Sequence, residues 1–273
     1  MLRLLKIESI DDPALAPYRT MSMQRDHYAQ RIFVAEGEKI VRRLLQSALE
    51  VSSVLLPEKW LADFTSLIEN RPGAIDTYVA PKEELEKLTG YSMYQGVLAV
   101  GKIPGPVPLE DAVRFAPRPR LFAALDGINS SENVGALIRN AAAFGVQAIM
   151  AGETSSHPYM RRAVRSSMGT VFQLPVVESK DLAADLQRLR ELGIRSVGAD
   201  AHEGVGRLTE TDLTGDCCLV FGSEGLGLRP EVSAACDIKA AVPMRSAVDS
   251  LNVSAAAAIF FHEADRQRRP HSR

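Results

Sequence analysis

The chain has 273 residues, 46% of them hydrophobic and 24% charged, a composition ordinary for a globular protein with room for one large domain or two smaller ones. There is no apolar run of membrane-spanning length, the first residues are too charged for a signal peptide, and the three cysteines and five histidines lack disulfide or metal-ligand spacing, so we expect a cytoplasmic protein without membrane or metal. The net charge of −2 does not indicate nucleic-acid binding, but it does not exclude it, because phosphate contacts need only a local basic patch.

Strands and helices alternate through the first hundred residues. Runs rich in β-branched residues predict strands at 32–35, 51–56, 75–79 and 96–100, and apolar residues at helical spacing predict helices at 40–49, 60–68 and 81–88. The alternation is typical of a small α/β domain, which we place at residues 1–105. The segment from Met21 to Arg31 is polar and basic, and it is compatible with an RNA-facing surface or with a plain one.

Prolines then interrupt the pattern at Pro104, Pro106 and Pro108. Chain this dense in proline is extended and semi-rigid. We therefore expect a proline-rich linker at 106–118 and a second domain at 119–273.

The second half again alternates strands with helices. Apolar runs predict strands at 121–125, 146–151, 172–177, 194–199, 217–221 and 238–242, and helices are expected at 133–144, 158–167, 182–192 and 251–266. Strands that are apolar throughout favour a mostly parallel sheet covered on both faces. Such sheets bind ligands at the carboxyl ends of their strands.

Three blocks of glycine and polar residues begin at these strand ends. They are Asn133-Val134-Gly135 with Arg139, Gly222 with Glu224 and Gly227, and Ser250-Leu251-Asn252-Val253-Ser254. Glycines at such positions allow the backbone to approach a ligand or another segment closely. The blocks predict a pocket lined more by backbone than by side chains.

In this order the blocks resemble those of the SpoU (TrmH-like) family of SPOUT RNA methyltransferases, over roughly residues 118–267. The resemblance implies a C-terminal SPOUT domain whose chain forms a trefoil knot around the loops at 222–228 and 242–251. Residues 33–37 and 95–99 resemble the ends of the small RNA-binding domain that many of these enzymes carry before the catalytic domain. The expected fold is thus an α/β protein with a knotted, mostly parallel C-terminal domain and a smaller N-terminal one.

The resemblance also implies an activity. Members of the family transfer a methyl group from S-adenosylmethionine to a ribose 2′-hydroxyl of rRNA or tRNA, usually as homodimers. By position, the cofactor-contacting residues are expected to be Gly222, Ser223, Gly227, Val242, Met244 and Leu251. The alanine-rich stretch from Ala255 to Phe261 is a candidate for the dimer interface or for the core of its own domain.

Five side chains are candidates for the substrate side: Asn133, Arg139, Glu224, Ser250 and Asn252. A guanidinium forks onto phosphate and is a poor base at its ordinary pKa, whereas the resemblance implies that Arg139 acts as the base with help from a substrate phosphate. Asn133 and Ser250 have helix capping as an alternative role. Asn252 is expected inside a helix, where asparagine is mediocre, and this favours a role in the site. Glu224 is expected either to fix its own loop by accepting backbone N–H bonds or to approach the substrate or Arg139.

Three arginine clusters are candidates for phosphate contacts, with a solvated helix face or tail as the alternative: Arg114 with Arg118 and Arg120, Arg161 with Arg162 and Arg165, and Arg266 with Arg268 and Arg269. Two other functions remain open at this point. One is a non-catalytic RNA-binding protein that has kept the fold, and the other is a doubly wound enzyme acting on a different nucleotide. Loss of cofactor binding with RNA binding retained would favour the former, and absence of a knot would favour the latter.

Overall fold

The computed structural model describes residues 2–7, 9, 11–89, 96–200, 205–244 and 250–269. Within these ranges the strands are β1 Leu2–Lys6, β2 Ile32–Glu36, β3 Val51–Leu56, β4 Ile75–Val79, β5 Leu98–Lys102, β6 Leu121–Leu125, β7 Ala148–Ala151, β8 Val176–Glu178, β9 Arg195–Ala199, β10 Gly206–Arg207, β11 Cys217–Phe221 and β12 Ile238–Ala241. The helices are α1 Ala16–Arg19, α2 Gln24–Ala29, α3 Glu38–Gln46, α4 Leu61–Glu69, α5 Lys82–Thr89, α6 Leu109–Phe115, α7 Ser131–Ala143, α8 Arg161–Ser166, α9 Leu182–Glu191, α10 Pro230–Ala235 and α11 Val253–Arg268.

By their internal contacts these elements form two compact units. The first comprises Met1–Gly105 and Tyr159–Gln173, and the second comprises Pro106–Pro158 and Leu174–Arg273. The segment 159–173 therefore groups with the first unit, although the sequence placed it inside the second domain. A sequence pattern reports local structure, and it does not show which unit a short excursion of the chain packs against.

The first unit is built on a mixed sheet with the strand order β1-β4-β3-β5-β2. β1, β4 and β3 run parallel to one another, and β5 is antiparallel to both β3 and β2. The sequence missed β1. That strand lies at the sheet edge and leaves Arg3 and Leu4 exposed, so it is held by backbone pairing with β4 and carries little of the burial pattern on which prediction depends.

Aromatic packing joins the segment 159–173 to β2. The ring of Phe33 lies 5.3 Å from that of Tyr159 and 5.4 Å from that of Phe172, centroid to centroid. Phe172, expected to open a strand, lies instead in a 3-10 helix, and β8 begins four residues later. Glu36, which is buried, accepts a hydrogen bond from Arg161 at 2.7 Å and lies 3.5 Å from Arg165, so part of this predicted basic cluster is used within the unit.

A seven-stranded parallel sheet forms the second unit, in the order β10-β12-β9-β11-β6-β7-β8. β11 is its middle strand, and Phe221 at its end pairs in register with Leu125 at the end of β6. The first two sequence blocks therefore leave the sheet side by side. α7 and α11, which follow the first and third blocks, pack against each other. The mostly parallel sheet predicted from the sequence is confirmed, whereas the predicted trefoil knot involves residues 245–249, which lie outside the described residues, and stays a prediction.

The predicted linker contains a helix and is not extended throughout. Residues 109–115 form α6, and Leu109, Ala112 and Val113 are buried in the core of the second unit. The surrounding prolines dominated the sequence pattern, but proline directly before a helix is compatible with its start.

The adjacent cysteines Cys217 and Cys218 are explained by the position of β11. Successive side chains of a strand point to opposite faces, and both faces of a central parallel strand are covered, so both thiols are buried. Burial raises the pKa of Cys217 to about 11 and that of Cys218 well above its ordinary value. Both are therefore neutral packing groups near pH 7.

In the described part of the chain, no helix is long and apolar enough to cross a membrane.

Arg268 ties the end of α11 to the sheet. Its guanidinium donates to the carbonyl oxygens of Leu213 at 2.8 Å, Gly215 at 2.6 Å and Arg120 at 3.0 Å, which precede β11 and β6. We expect Arg268→Ala to lower the free energy of unfolding by about 2 kcal/mol, because charge-assisted hydrogen bonds are lost and carbonyls are left unpaired. Urea denaturation measures this. Arg269→Ala, which removes an exposed pair with Asp265, is the control and should change stability little.

Candidate active site

The second sequence block folds into a closed turn, here called the glycine hairpin (residues 222–228). Ser223 and Gly227 exchange two backbone hydrogen bonds of 2.9 Å each. Gly227 has φ 68°, a conformation that favours glycine. Gly222 passes so close to the returning chain that a Cβ there would lie 2.2 Å from the carbonyl carbon of Gly227 and 2.4 Å from the nitrogen of Leu228. The hairpin is therefore a rigid backbone unit that needs glycine at its entry.

Side chains from all three blocks meet at this hairpin. Glu224 Oε1 accepts hydrogen bonds from Asn133 Nδ2 at 2.7 Å and from Asn252 Nδ2. Asn252 Nδ2 also lies 3.2 Å from Asn133 Oδ1. We call these residues the Asn–Glu–Asn cluster (Asn133, Glu224, Asn252). All three side chains remain at least partly exposed, so their remaining hydrogen-bonding capacity faces solvent.

The helix caps differ from those predicted. Ser130 caps α7 by accepting from the backbone N–H of Asn133 at 3.3 Å, and this leaves the Asn133 side chain for the cluster. Asn252, expected inside the last helix, is instead the N-cap of α11, and its Oδ1 accepts from Ser254 N at 3.0 Å. Ser250, the predicted cap, lies outside the helix and is exposed. Asn252 therefore serves two roles, with its oxygen capping the helix and its nitrogen joining the cluster.

The two roles of Asn252 can be separated by substitution. Asn252→Ser keeps a good N-cap but removes the Nδ2 donor, so we expect stability within about 0.5 kcal/mol of the wild type and a loss of activity. Asn252→Ala should lose the same activity and about 1 kcal/mol of stability as well. Urea denaturation and a methyl-transfer assay on both variants test this. Full activity in Asn252→Ser would show that the residue is only a cap.

A cavity of about 730 Å³ opens beside the cluster, within the usual size range of a small-molecule site. Its lining includes every residue that the sequence assigned to the cofactor, together with two of the predicted catalytic residues: Gly222, Ser223, Gly227, Val242, Met244, Leu251, Glu224 and Ser250. Further lining residues were missed by the sequence, among them Asp200 after β9, Lys239 on β12 and Phe260 on α11.

The cavity has the chemistry to hold a nucleoside-like cofactor with charged ends. Backbone of the glycine hairpin forms one side, Val242 and Phe260 supply apolar surface, and Asp200 and Lys239 supply opposite charges. Ligand sites typically combine an apolar lining with a few placed polar groups in this way. The residues present therefore fit S-adenosylmethionine, which carries an adenine, a ribose and a charged amino-acid end.

Arg139 is not part of the cluster. It is exposed on α7, and among the described residues it has no hydrogen-bond or ion-pair partner. Its neighbour Asn140 donates Nδ2 to the Ser254 carbonyl oxygen at 2.9 Å, so this part of α7 lies beside the first turn of α11. The guanidinium of Arg139 is thus available for an external anion.

An ion-pair network next to the hairpin was also missed by the sequence. Asp126 directly follows β6 and is fully buried, and its carboxylate accepts from Arg229 N at 2.7 Å and from Arg229 Nε at 2.6 Å. Arg229 also lies 2.6 Å from Glu153. Partial burial opposes ionisation of Glu153, but hydrogen bonds from its own backbone, from Arg229 and from Leu182 keep its pKa below the ordinary value. The sequence did contain one indication of this network, because Asp126 is a charged residue that directly follows an apolar strand.

The comparison with known families decides the membership of the chain. The sequence matches the SpoU rRNA Methylase family over residues 120–262, just over half of the chain. The chain belongs to the SpoU rRNA methylase family. It is 31% identical over 263 residues to an uncharacterised tRNA/rRNA methyltransferase of Mycobacterium tuberculosis, a match that covers 94% of this chain and 90% of that protein.

Solved structures show the same fold along nearly the whole chain. An AdoMet-bound rRNA methyltransferase from Sinorhizobium meliloti is 23% identical with a TM-score of 0.82, covering 96% of this chain and 98% of that one. An RNA 2′-O ribose methyltransferase is 24% identical with a TM-score of 0.77, covering 97% and 99%. This SpoU-family chain therefore carries an N-terminal domain before its SpoU domain. All three sequence blocks lie within the matched region.

Proposed function

We propose that this SpoU-family chain transfers a methyl group from S-adenosylmethionine to the ribose 2′-hydroxyl of rRNA or tRNA. The observation that carries the proposal is the Asn–Glu–Asn cluster, in which one carboxylate joins the three sequence blocks at the rim of the 730 Å³ cavity. Family membership and the activities printed for the relatives support the same reaction. The first unit is proposed to hold structured RNA.

The residues proposed to hold the cofactor are Gly222, Ser223, Gly227, Val242, Met244 and Leu251, which line the cavity. When bound, S-adenosylmethionine supplies a methyl group on a sulfonium, which is already activated for displacement. The protein must then place the 2′-hydroxyl oxygen in line with the methyl group and assist loss of the hydroxyl proton.

The Asn–Glu–Asn cluster is proposed to orient the ribose. Because Glu224 only accepts hydrogen bonds when ionised, both asparagine amides turn their nitrogen toward it. The orientation of both amides is therefore fixed before the substrate binds. Such preorganisation avoids the free-energy cost of reorienting polar groups during the reaction. Ser250, exposed at the cavity, is proposed to add a hydroxyl contact on the substrate side.

Arg139 is proposed to bind a phosphate next to the target ribose. A guanidinium matches two phosphate oxygens and stays protonated near neutral pH. Its exposure and its lack of a partner among the described residues leave it available. Phosphate binding by Arg139 would fix the nucleotide, and any part in proton removal would require that phosphate as well.

Titration calorimetry with S-adenosylmethionine tests the cofactor part of the proposal. One saturable site per chain is expected, and Leu251→Asp, which places a charge in the cavity lining, should weaken it. Absence of binding at millimolar cofactor to the folded wild type would contradict the methyltransferase function. RNA binding retained in that case would favour the non-catalytic RNA-binding alternative.

We also propose that the chain forms a homodimer through the outward faces of α7 and α11. In the stretch 255–261, Ala257, Phe260 and Phe261 are buried in their own unit, whereas Ala255 is exposed and Ile259 is 39% exposed. The buried face of α11 thus belongs to the core of its own unit, and its exposed face is the one proposed as the dimer interface. Sedimentation equilibrium should give twice the chain mass, and Ile259→Lys should shift the protein toward monomer. A monomeric wild type at micromolar concentration would contradict the proposal.

A further inference from the structure

Asp126 holds both ends of the glycine hairpin. Its backbone N–H donates to the carbonyl oxygen of Phe221 at 2.8 Å, directly before the hairpin. Its carboxylate accepts from the backbone N–H and the Nε of Arg229, directly after it. One residue at the end of β6 therefore brackets the whole of 222–228. The hairpin is closed by its own two hydrogen bonds, so its placement depends on these two ends together with the contacts of Glu224 with Asn133 and Asn252.

A contribution to folding stability does not by itself explain why a buried ion pair stands at this position. The Asp126 side chain has no exposure, and a buried ion pair is often no more stabilising than apolar residues of similar volume. Arg229 in addition lies within 2.6 Å of Glu153 and 3.4 Å of Glu231, so one guanidinium serves three carboxylates. An apolar pair could not accept a hydrogen bond from the backbone N–H of Arg229. This hydrogen bond fixes the position at which the chain leaves the hairpin.

We propose that Asp126, acting through Arg229, is a positioning residue for the cofactor cavity. The inference rests on the proposed function, because the ligand of the cavity is S-adenosylmethionine. Every residue of the glycine hairpin lines that cavity. Loss of the Asp126–Arg229 contact lets the hairpin tilt on β11, and the cavity wall then no longer fits its ligand. The effect appears in cofactor affinity, which calorimetry measures in the absence of RNA.

The fold supplies a matched control at the other end of the same two strands. Asp216 precedes β11 and accepts from Arg120 N at 2.9 Å and from Arg120 Nη1 at 2.9 Å, just before β6. Its side chain is 8% exposed. The pair has the same two-point geometry as Asp126 with Arg229, it joins the same strands, and neither residue lines the cavity.

The experiment compares Asp126→Asn with Asp216→Asn in the full chain. Both should lose stability in urea denaturation. Only Asp126→Asn should raise the dissociation constant for S-adenosylmethionine in calorimetry and its KM, by about 10- to 100-fold, at about 1.4 kcal/mol for each tenfold change.

Three outcomes are distinguishable. A wild type that does not bind the cofactor defeats the proposed function itself. A wild type that binds, together with equal dissociation constants in the two variants, overturns the positioning role of Asp126. If Asp126→Asn does not fold, Arg229→Lys replaces it, because lysine keeps the charge and the backbone donor but cannot reach two carboxylates through a fork. A smaller rise in the dissociation constant is then expected, and an unchanged value overturns the inference.

Discussion

Replacing Arg139 with alanine is expected to lower the rate of methyl transfer by about 10²- to 10⁴-fold, the range found when a positioned catalytic group is removed. The dissociation constant for S-adenosylmethionine should not change, because Arg139 does not line the cavity. Stability should change little, since the side chain is exposed and has no hydrogen bond or ion pair with the described residues. Single-turnover methyl transfer to RNA, measured beside calorimetry with the cofactor, checks all three expectations.

Two further variants sharpen the result. Arg188→Ala removes an exposed arginine of α9 in the same unit and should leave the rate unchanged, so it controls for the loss of one positive charge. Arg139→Lys keeps the charge but loses the forked geometry, and an intermediate rate is expected if phosphate is the partner. If Arg139→Ala transferred methyl groups at the same rate as Arg188→Ala, Arg139 would have no role in the reaction.

Adding a single methyl group at Gly222 is expected to abolish detectable cofactor binding. The Cβ of Gly222→Ala would lie 2.2 to 2.4 Å from backbone atoms of Gly227 and Leu228, far inside van der Waals contact. Backbone cannot rotate away as a side chain can, so the hairpin must shift and its cavity wall must shift with it. We expect the dissociation constant to rise by at least about 100-fold, which corresponds to about 3 kcal/mol of binding free energy.

Gly215→Ala is the matched control in the same unit. A Cβ at Gly215 would meet no atom within 4 Å, and Gly215 neither has a positive φ nor lines the cavity, so alanine is compatible with its backbone and leaves the cavity wall unchanged. Calorimetry on both variants is the measurement, with circular dichroism to confirm that they fold. Normal binding by Gly222→Ala would show that the hairpin does not form the cofactor site.

The sequence predicted those parts of the fold in which burial creates a periodic pattern. β3, β4, β6 and β11 have the boundaries expected for them, because their apolar runs are ended by proline, glycine or charged residues. β1 and the two-residue strand β10 were missed, since an edge strand is held by backbone pairing that leaves little trace in side-chain type. α6 was missed because neighbouring prolines outweighed three buried apolar residues.

The candidate site was predicted more fully than the contacts that hold it together. The three blocks located the residues of the cluster and much of the cavity lining, because glycine and asparagine are restricted to few backbone settings. The predicted cap of the last helix, Ser250, was wrong, because Asn252 is the N-cap and a one- or two-residue error in a helix start changes which side chain is the cap. Asp126 and Arg229 were missed because their pairing joins residues far apart in the chain, 103 positions by number.

The measurement that tests the account most directly is the identity of the methylated product. Ribosomal and transfer RNA from cells that lack the gene would be incubated with the purified protein and isotope-labelled S-adenosylmethionine, then digested to nucleosides and analysed by mass spectrometry. We predict that the wild type places the isotope label in a 2′-O-methylated nucleoside. Arg139→Ala should place no detectable label there within the same incubation time. Label on a nucleobase, or no label from a folded protein that binds the cofactor, would contradict it.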